Sequence, residues 1–284
     1  MIDRLAILAP GLLGGSVARA ARDYGFAREI VIWARRPETR ASLAQQSWCD
    51  RSADTPGSAV EGATLVVIAS PVDSIAPLAA QVAPNLADRA IVTDVGSVKA
   101  AICRDAGDSV ARLSQGRAEF VGSHPMAGSE KTGWENGSAA LFESRTCFVT
   151  PTSGNRTDAA LAVEAFWSSL GGRTVRVAPD EHDRIVAHIS HLPQLLASTL
   201  AAFLARRHPE WGTYAGNGLR DTTRIAASDP ELWRTIYTAN RTEVLSALRG
   251  WRAEVAEAER ALEAGDFNTV AALMARGRDF RKKL

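Results

Sequence analysis

The amino-terminal segment of this chain places a short apolar run, a glycine-rich turn and a helical pattern in immediate succession. The apolar run covers residues 4–9, the turn contains Gly11 and Gly14, and an alanine-rich helical pattern then extends to Gly25. This order is needed when backbone amides at a helix start must closely approach a pyrophosphate. Ala9 replaces the first glycine of the Gly-x-Gly-x-x-Gly pattern, so a chance match remains the alternative. The pattern predicts a dinucleotide-binding turn that includes Gly11, Leu12, Leu13 and Gly14.

Further apolar runs alternate with helical patterns through the first 178 residues. The predicted strands cover residues 30–33, 65–69, 90–93, 119–122, 146–150 and 173–177, and helical patterns lie at 37–46, 75–82, 100–106 and 157–170. Alternating strands and helices favour a mainly parallel sheet with right-handed crossovers. The prediction is an α/β fold of the doubly wound, Rossmann type.

The end of the second predicted strand bears on which dinucleotide would fit. A site that prefers NAD usually has a carboxylate there for the ribose hydroxyls, whereas this chain has Ala34, Arg35 and Arg36. A small residue followed by two guanidinium groups leaves space and charge for a 2′-phosphate. We therefore expect NADP or NAD to bind, with NADP favoured. The alternative is that the two arginines merely precede a helix that begins at Pro37.

A loop of unusual composition follows the strand predicted at residues 119–122. Residues 122–133 contain a histidine, a carboxylate, an ammonium group, a proline and three glycines, which excludes a regular helix or a central strand. His124 is expected just past the carboxyl end of a strand, where open α/β sheets bind ligands. A solvated histidine on a surface loop is the alternative.

Ser70 and Ser97 also follow predicted strands, so both are expected at the same sheet edge as His124. This convergence favours a binding site over unrelated loops. For Ser97, a cap on the following helix is an equally good interpretation, and the two roles are compatible.

From residue 179 the pattern changes to helices without a convincing strand, so we predict domains at 1–178 and 179–284. The first long helix is apolar on nearly all sides, which predicts the buried hub of a helical domain or of a subunit interface. Pro193 is expected to free a carbonyl and to kink this helix near His191. A histidine bonded to a neighbouring carbonyl is the alternative for His191.

A second polar cluster lies at residues 218–233. Asp221 and Arg224 are three residues apart, which in a helix is typical of an ordinary surface ion pair. A guanidinium group is also well suited to binding a carboxylate through two parallel hydrogen bonds.

Composition excludes several classes of partner. The net charge of +1 gives no basic patch for nucleic acid, and the three cysteines are far apart and lack metal-ligand spacing. The apolar start at residues 5–13 is too short for a signal peptide and is interrupted by Pro10 and Gly11, and we expect no membrane span later in the sequence. We expect a cytoplasmic protein that binds no metal, nucleic acid or membrane.

Five motifs together carry a specific resemblance. They are GLLGGS at 11–16, DVGSVK at 94–99, HPMAGSE at 124–130, SHLP at 190–193 and DTTR at 221–224. In this order and at similar spacing they resemble the prephenate and arogenate dehydrogenases of tyrosine biosynthesis. The resemblance implies a dinucleotide-binding domain and a helical dimerisation domain, hence a homodimer. It also implies oxidative decarboxylation of prephenate, arogenate or both by hydride transfer to NAD(P).

The resemblance also implies roles for individual residues. His124 matches the histidine that accepts the hydrogen bond, and finally the proton, of the substrate's 4-hydroxyl group. Ser97 matches the serine near the same hydroxyl and the nicotinamide, and Arg224 matches the arginine that binds a substrate carboxylate. Glu130 and Asp221 match positions that gate the substrate pocket, and His191 matches a histidine of that pocket. Lys131 receives no role.

Departures from the family pattern leave two choices open. Ala9 replaces a glycine and Ala34 replaces an acidic residue, so the choice between NAD and NADP stays open. Gln194 replaces a second histidine, and this change bears on the choice between prephenate and arogenate.

Two other functions are compatible with a chain of this kind. A dehydrogenase of the β-hydroxyacid type would need a lysine in the helical domain, and none occurs between Val177 and Lys282. A non-catalytic cofactor sensor would not need His124, Ser97 and Arg224 to converge.

Overall fold

A six-stranded parallel sheet forms the centre of the first half of the molecule. The computed structural model describes residues 1–128 and 131–284. The strands lie in the order β3-β2-β1-β4-β5-β6, and all their pairings are parallel. Their bounds are β1 Ile2–Leu8, β2 Ala27–Trp33, β3 Arg51–Ser52, β4 Leu65–Ile68, β5 Ile91–Asp94 and β6 Glu119–Phe120. This strand order confirms the predicted doubly wound fold.

Helices cover both faces of this sheet, and β1 shows how the sequence directs them. Ala6 and Leu8 belong to one hydrophobic cluster, and Leu5 and Ile7 belong to the other. Because successive side chains of a strand point to opposite faces, a continuous apolar run is needed where both faces are covered. The covering helices are α1 Leu12–Asp23, α2 Pro37–Leu43, α3 Pro56–Val60, α4 Val72–Val82, α5 Ala100–Leu113 and α6 Thr157–Ser169.

A second, smaller sheet carries His124 and corrects one expectation. The run predicted as one strand at 119–122 is divided: β6 ends at Phe120, and Gly122–Pro125 forms β7 in a different sheet. In that sheet β7 is antiparallel to β8 (Thr146–Thr150), which is parallel to β9 (Arg173–Arg176). His124 therefore lies inside a strand and not in a loop past a strand end. The pairing of His124 with Phe148 fixes its position.

The second half is helical throughout the region that the structure describes. Its α-helices are α7 Pro179–Val186, α8 Leu192–Arg207, α9 Asn217–Thr223, α10 Pro230–Ala239, α11 Arg241–Glu263 and α12 Phe267–Arg281. Between α7 and α8 the chain forms a π turn at Ala187–His191. Pro193 has no N–H to donate to the carbonyl of Ile189, and such a loss is accommodated by widening the helix. The irregularity predicted near His191 is therefore present.

The composition of α8 predicts a helix that is buried on nearly all sides, in its own domain or in a subunit interface. Within the single chain, part of its surface is exposed. Phe203 is 48% exposed and Ile189, in the π turn before it, is 58% exposed. By length and composition alone the stretch Pro179–Arg207 meets the requirement for a membrane span, contrary to the expectation from sequence. Buried helices of globular proteins meet the same requirement. This stretch also carries two buried polar side chains that bond to the second half of the molecule: Gln194 to the carbonyl of Ile225 and His191 to the side chain of Asn240.

The two halves of the molecule pack directly against each other. Ile236 of α10 belongs to the hydrophobic cluster formed by α4 and α5. Asp183 of α7 accepts hydrogen bonds from the backbone at the start of α5.

Candidate active site

The turn after β1 has the geometry that the sequence predicted. Ala9 has φ +58°, so it adopts the left-handed conformation that a glycine would normally supply at this position. A Cβ built on Gly14 would lie 2.9 Å from the Cβ of Ala69, so a side chain there would push α1 away from the sheet. A Cβ built on Gly11 would have no atom within 4 Å, and no side chain of the described residues caps the start of α1. The free N–H groups and open space fit a dinucleotide pyrophosphate, which Gly11, Leu12, Leu13 and Gly14 would hold.

The end of β2 presents two arginines to solvent. Ala34 is buried, whereas Arg35 and Arg36 are exposed, and neither forms an ion pair within residues 1–128 and 131–284. Arg40 donates to the carbonyls of Ala34 and Arg35 and so holds the turn. The chain also starts α2 at Pro37, as the alternative interpretation had it. The small side chain of Ala34 and the two exposed guanidinium groups after β2 are thus the features that a 2′-phosphate would need.

Ser70 and Ser97 follow β4 and β5, at the carboxyl edge of the large sheet. Ser70 is nearly buried. Ser97 is half-buried and does not cap α5, because the carboxylate of Asp183 occupies that position. The interpretation of Ser97 as a helix cap is therefore wrong, and its hydroxyl has no hydrogen-bond partner within the described part of the chain.

A buried ion pair joins the Ser97 loop to the His124 strand. Lys99 and Asp94 are both fully buried and paired with each other. The Lys99 ammonium also donates to the Ser123 carbonyl at 2.8 Å, and Asp94 accepts from the backbone N–H groups of Ser123 and Gly96. Burial raises the pKa of Asp94, against the opposing effect of Lys99. This network holds the loop that carries Ser97 against the residue that precedes His124.

His124 is 7% exposed and lies beside a second histidine from the helical half of the molecule. Its Nδ1 is 2.9 Å from Nε2 of His182, and Nδ1 of His182 is 2.8 Å from Oδ1 of Asp183. Burial, with the neighbouring His182, Lys99 and His191, holds the pKa of His124 well below its usual value. Burial also lowers the pKa of His182. Both imidazoles are therefore neutral at physiological pH, and no described residue bonds to Nε2 of His124.

His191, in the π turn, is also buried and neutral. Burial lowers its pKa to about 4. Its Nδ1 is 3.2 Å from the side-chain nitrogen of Asn240, and its Nε2 has no hydrogen-bond partner among the described residues. The alternative of a bond to a neighbouring carbonyl is wrong, since an amide side chain takes that place. Because Asn240 donates to Nδ1, the Nε2 atom carries the proton and is an unused donor.

Arg224 lies at the start of a short 3-10 turn, Arg224–Ala227, and its side chain is exposed. The predicted surface pair with Asp221 is absent, because α9 ends at Thr223 and neither residue has an ion pair within the described ranges. Gln194 of α8 is buried, and its amide donates to the carbonyl of Ile225 at 3.0 Å and to Ser198. Gln194 therefore anchors the turn that carries Arg224.

Sequence reasoning missed three members of this site: His182, Asp183 and Asn240. The first two follow Pro179 closely, in a segment whose sequence shows only a helix start. A histidine beside an aspartate was the one available signal, because a carboxylate that bonds one ring nitrogen sets which nitrogen carries the proton. Glu130, predicted in the pocket, lies outside the described residues. Lys131 is described, and no role follows from its position.

Comparisons with known proteins agree across both halves. Residues 17–176 match the family model described as prephenate dehydrogenase, nucleotide-binding domain, and residues 178–276 match prephenate dehydrogenase, dimerization domain. A cyclohexadienyl dehydrogenase of Zymomonas mobilis is 30% identical over 94% of this chain and 90% of its own length.

Two solved structures are similar over nearly the whole chain. Prephenate dehydrogenase of Aquifex aeolicus, in complex with hydroxyphenyl propionate and NAD+, superposes with a TM-score of 0.91 at 27% identity, covering 100% of this chain and 98% of that one. Synechocystis arogenate dehydrogenase gives 0.84 at 25% identity, covering 99% of both chains. The two family models include Ser97, His124 and Arg224, and the two structural alignments cover 99–100% of the chain. The chain belongs to the prephenate dehydrogenase family and is a dehydrogenase with a nucleotide-binding domain.

Proposed function

We propose that this chain oxidises and decarboxylates prephenate, arogenate or both, giving 4-hydroxyphenylpyruvate or tyrosine. The observation that carries the proposal is the buried, neutral imidazole of His124 with one nitrogen, Nε2, free of described partners. Membership of the family supports the reaction. A neutral imidazole suits a reaction in which a hydroxyl group must lose its proton.

The chemistry divides between the bound cofactor and the protein. A nicotinamide dinucleotide held at the turn after β1 would supply the acceptor for the hydride that leaves ring carbon 4. His124 accepts the proton of the 4-hydroxyl as that carbon becomes a carbonyl-like centre. The bond from the ring to its carboxylate then breaks, carbon dioxide leaves, and the electron pair passes through the ring to the oxygen on carbon 4. The aromatic phenolate formed in this way regains its proton from His124 and becomes the phenol. The protein must therefore supply a proton acceptor, orientation and anion binding.

We assign anion binding to Arg224, whose exposed guanidinium has no ion pair among the described residues. It would bind a substrate carboxylate through two parallel hydrogen bonds. Ser97 would hydrogen-bond near the 4-hydroxyl, and His191 would use its free Nε2–H. Asp221 would lie at the pocket mouth. Glu130 is proposed only on the resemblance in sequence.

Gln194 bears on the choice between the keto and amino side chains of the two substrates. Its amide is engaged by the Ile225 carbonyl and the Ser198 hydroxyl. The amide of Gln194 is neutral, whereas a histidine at this position could be protonated and carry a positive charge. Gln194 therefore brings no positive charge to the keto side chain of prephenate. We therefore propose that the chain accepts both substrates, with Gln194 acting through the Arg224 turn.

We also propose that NADP is accepted in preference to NAD. Arg35 and Arg36 are exposed and form no ion pair among the described residues, and none of the three residues directly after β2 is acidic. A 2′-phosphate would accept hydrogen bonds from either guanidinium.

A homodimer is proposed from the helical domain. The family model there is described as a dimerization domain. Large apolar side chains on its helices are exposed in the single chain, among them Phe203, Trp251, Leu262 and Phe267. Exposed apolar area of this extent is typical of a subunit interface.

The experiment is an absorbance assay at the reduced-nicotinamide band with prephenate and arogenate, each with NAD and NADP. Turnover of both prephenate and arogenate, and a higher kcat/KM with NADP, is the expected result; turnover of only one substrate contradicts the role proposed for Gln194. No turnover with any of the four pairs contradicts the proposed function. A preference for NAD contradicts only the cofactor assignment.

A further inference from the structure

Two residues of α7 and the strand residue His124 form a single chain of polar contacts. We propose that Asp183 and His182 are positioning residues that fix the tautomer of His124, so that Nε2 is its basic nitrogen. The inference rests on the proposed function of His124 as proton acceptor. Neither residue is placed against the substrate, and neither takes a proton in this account.

The chain begins at Asp183, whose carboxylate is surrounded by donors. Its Oδ1 accepts the backbone N–H of Lys99 at 2.7 Å, and its Oδ2 accepts the N–H of Ala100 at 2.9 Å. These are N–H groups at the start of α5, where the helix dipole also favours negative charge. The Lys99 ammonium lies close to it as well. Burial raises the pKa of Asp183, and these donors oppose that effect. Because each of its oxygens accepts a backbone N–H, the carboxylate acts as an acceptor.

His182 transmits this constraint. Since Asp183 only accepts, Nδ1 of His182 must carry the proton of the 2.8 Å hydrogen bond. A neutral imidazole has one N–H, so Nε2 of His182 is an acceptor. The atom 2.9 Å away, Nδ1 of His124, must then donate. The remaining nitrogen of His124, Nε2, is left with its lone pair.

Packing confines the two rings, and the hydrogen bonds to Asp183 and between the rings select their orientation. His182 is fully buried, and its ring meets the edges of His124 and Phe148 at centroid distances of 5.1 and 5.2 Å. Phe148 is the cross-strand partner of His124. Both aromatic neighbours of His182 are therefore placed by the small sheet, whereas the ring itself belongs to the helical half.

With the opposite tautomers, the chain would place a proton on Nε2 of His124. That nitrogen would then donate and could not accept the substrate's proton. The orientation set by Asp183 and His182 is thus the one that a proton acceptor needs, and the same logic applies to an aspartate behind a catalytic histidine in hydrolases.

The first test reads the tautomers directly by ¹⁵N NMR of the ring nitrogens in the substrate-free protein. The chain contains only five histidines, so the variants His188→Gln and His208→Gln simplify the assignment. We expect both His124 and His182 to be neutral with protonated Nδ1 at pH 7. A protonated Nε2 on His124 would overturn the proposal.

The second test uses two substitutions of similar shape. Glutamine at position 182 can accept from Nδ1 of His124 through its amide oxygen, whereas methionine cannot. We expect His182→Met to lower kcat at least about a hundredfold, with KM little changed. His182→Gln should remain within about tenfold of the native enzyme. Equal losses in the two variants would contradict the tautomer account. His188→Gln, an exposed histidine in the adjoining π turn, is the matched control.

A double-mutant cycle separates the effect of Asp183 on His182 from its capping of α5. Asp183→Ala loses the cap in any background, but it affects the tautomer only when residue 182 is an imidazole. The loss in kcat should therefore be at least about tenfold larger in the native background than in His182→Gln. An equal loss in kcat in both backgrounds would mean that Asp183 acts only by capping α5.

These tests fail separately from the proposed function. If the native enzyme turns over neither substrate, the proposed function fails while the NMR result still decides the tautomer. If turnover is normal and His124 carries its proton on Nε2, only the positioning role fails.

Discussion

Gly15 of α1 lies directly beneath Trp134, so the dinucleotide helix and the segment that follows the His124 strand are in close contact. A Cβ on Gly15 would lie 2.9 Å from the Trp134 Cβ and 3.0 Å from its backbone. Ser16 extends the contact, because its hydroxyl accepts the N–H of Ser138 at 3.0 Å. The two parts of the proposed site are thus joined by packing that leaves no space for a side chain.

We predict that Gly15→Ala raises the KM for the dinucleotide and lowers kcat together. The added methyl group must displace Trp134 or α1, since backbone atoms limit the space. Steady-state kinetics with varied dinucleotide measure both effects. Gly107→Ala, where nothing lies within 4 Å of the added atom, is the matched control. Unchanged constants in Gly15→Ala would show that this contact does not couple the two parts.

His124→Asn should lower kcat at least about a hundredfold and leave dinucleotide affinity nearly unchanged, which is the usual scale for a lost general base. Turnover and dinucleotide binding, measured by absorbance and by fluorescence titration, check the two halves of this prediction. If turnover is retained, His124 is not the proton acceptor.

Replacing Arg35 and Arg36 by alanine should weaken NADP more than NAD. Each guanidinium that bonds a 2′-phosphate contributes about 1.5–3 kcal/mol, or roughly tenfold or more in affinity. The ratio of kcat/KM values for the two dinucleotides is the readout. Arg249→Ala, in α11, controls for the loss of one positive charge. An unchanged ratio would assign the two arginines to the start of α2 alone.

The fold should lose stability as the pH falls below about 6.5, partly through His191. Burial lowers the pKa of His191 to about 4 in the folded chain. The unfolded chain therefore binds more protons between about pH 6.5 and 4, and the free energy of unfolding falls with pH in that window. One such histidine accounts for about 3 kcal/mol across the window. Above pH 6.5 its contribution is constant.

Denaturant unfolding of the native chain and of His191→Gln at several pH values isolates this contribution. Buried Asp94, whose pKa is raised and which has no interaction with His191, acts in the opposite sense in both proteins and cancels in the difference. The native chain should lose more stability than the variant on acidification. Parallel pH profiles would mean that His191 does not titrate as burial requires.

Ala9→Gly should not destabilise the fold and should gain up to about 1 kcal/mol, because the left-handed conformation costs alanine about 1–2 kcal/mol and glycine mainly entropy. The same substitution in a helix, Ala111→Gly in α5, should lose about 1 kcal/mol. Chemical denaturation measures both. A loss in Ala9→Gly equal to that in Ala111→Gly would contradict the observed φ of +58°.

Much of the fold was predictable because its signals are local. The run that became β1 and the turn at Gly11 define the dinucleotide-binding unit within 25 residues, and the strand at 146–150 was predicted with its observed bounds. The division at Val121 was not predictable in this way. β6 and β7 are adjacent in sequence, and only pairing with distant β8 assigns β7 to another sheet.

The site was predicted only where a motif carries the chemistry. His124 and Ser97 lie in distinctive segments, whereas His182 and Asp183 lie in a helix start whose composition is common. Their importance depends on a contact with His124 across 58 residues. Periodicity left two interpretations of α8 open, because an apolar surface that contacts a second subunit has the same pattern as one buried in its own chain. The exposure of Phe203 in the single chain excludes complete burial within it.

The central claim is that hydride transfer and loss of carbon dioxide are one coupled reaction in this site. The most direct measurement follows reduced nicotinamide by absorbance and carbon dioxide by a coupled or isotopic assay in the same reaction, with prephenate and arogenate. The account predicts one carbon dioxide for each reduced nicotinamide, and a parallel loss of both in His124→Asn. Reduced nicotinamide formed without carbon dioxide would contradict it.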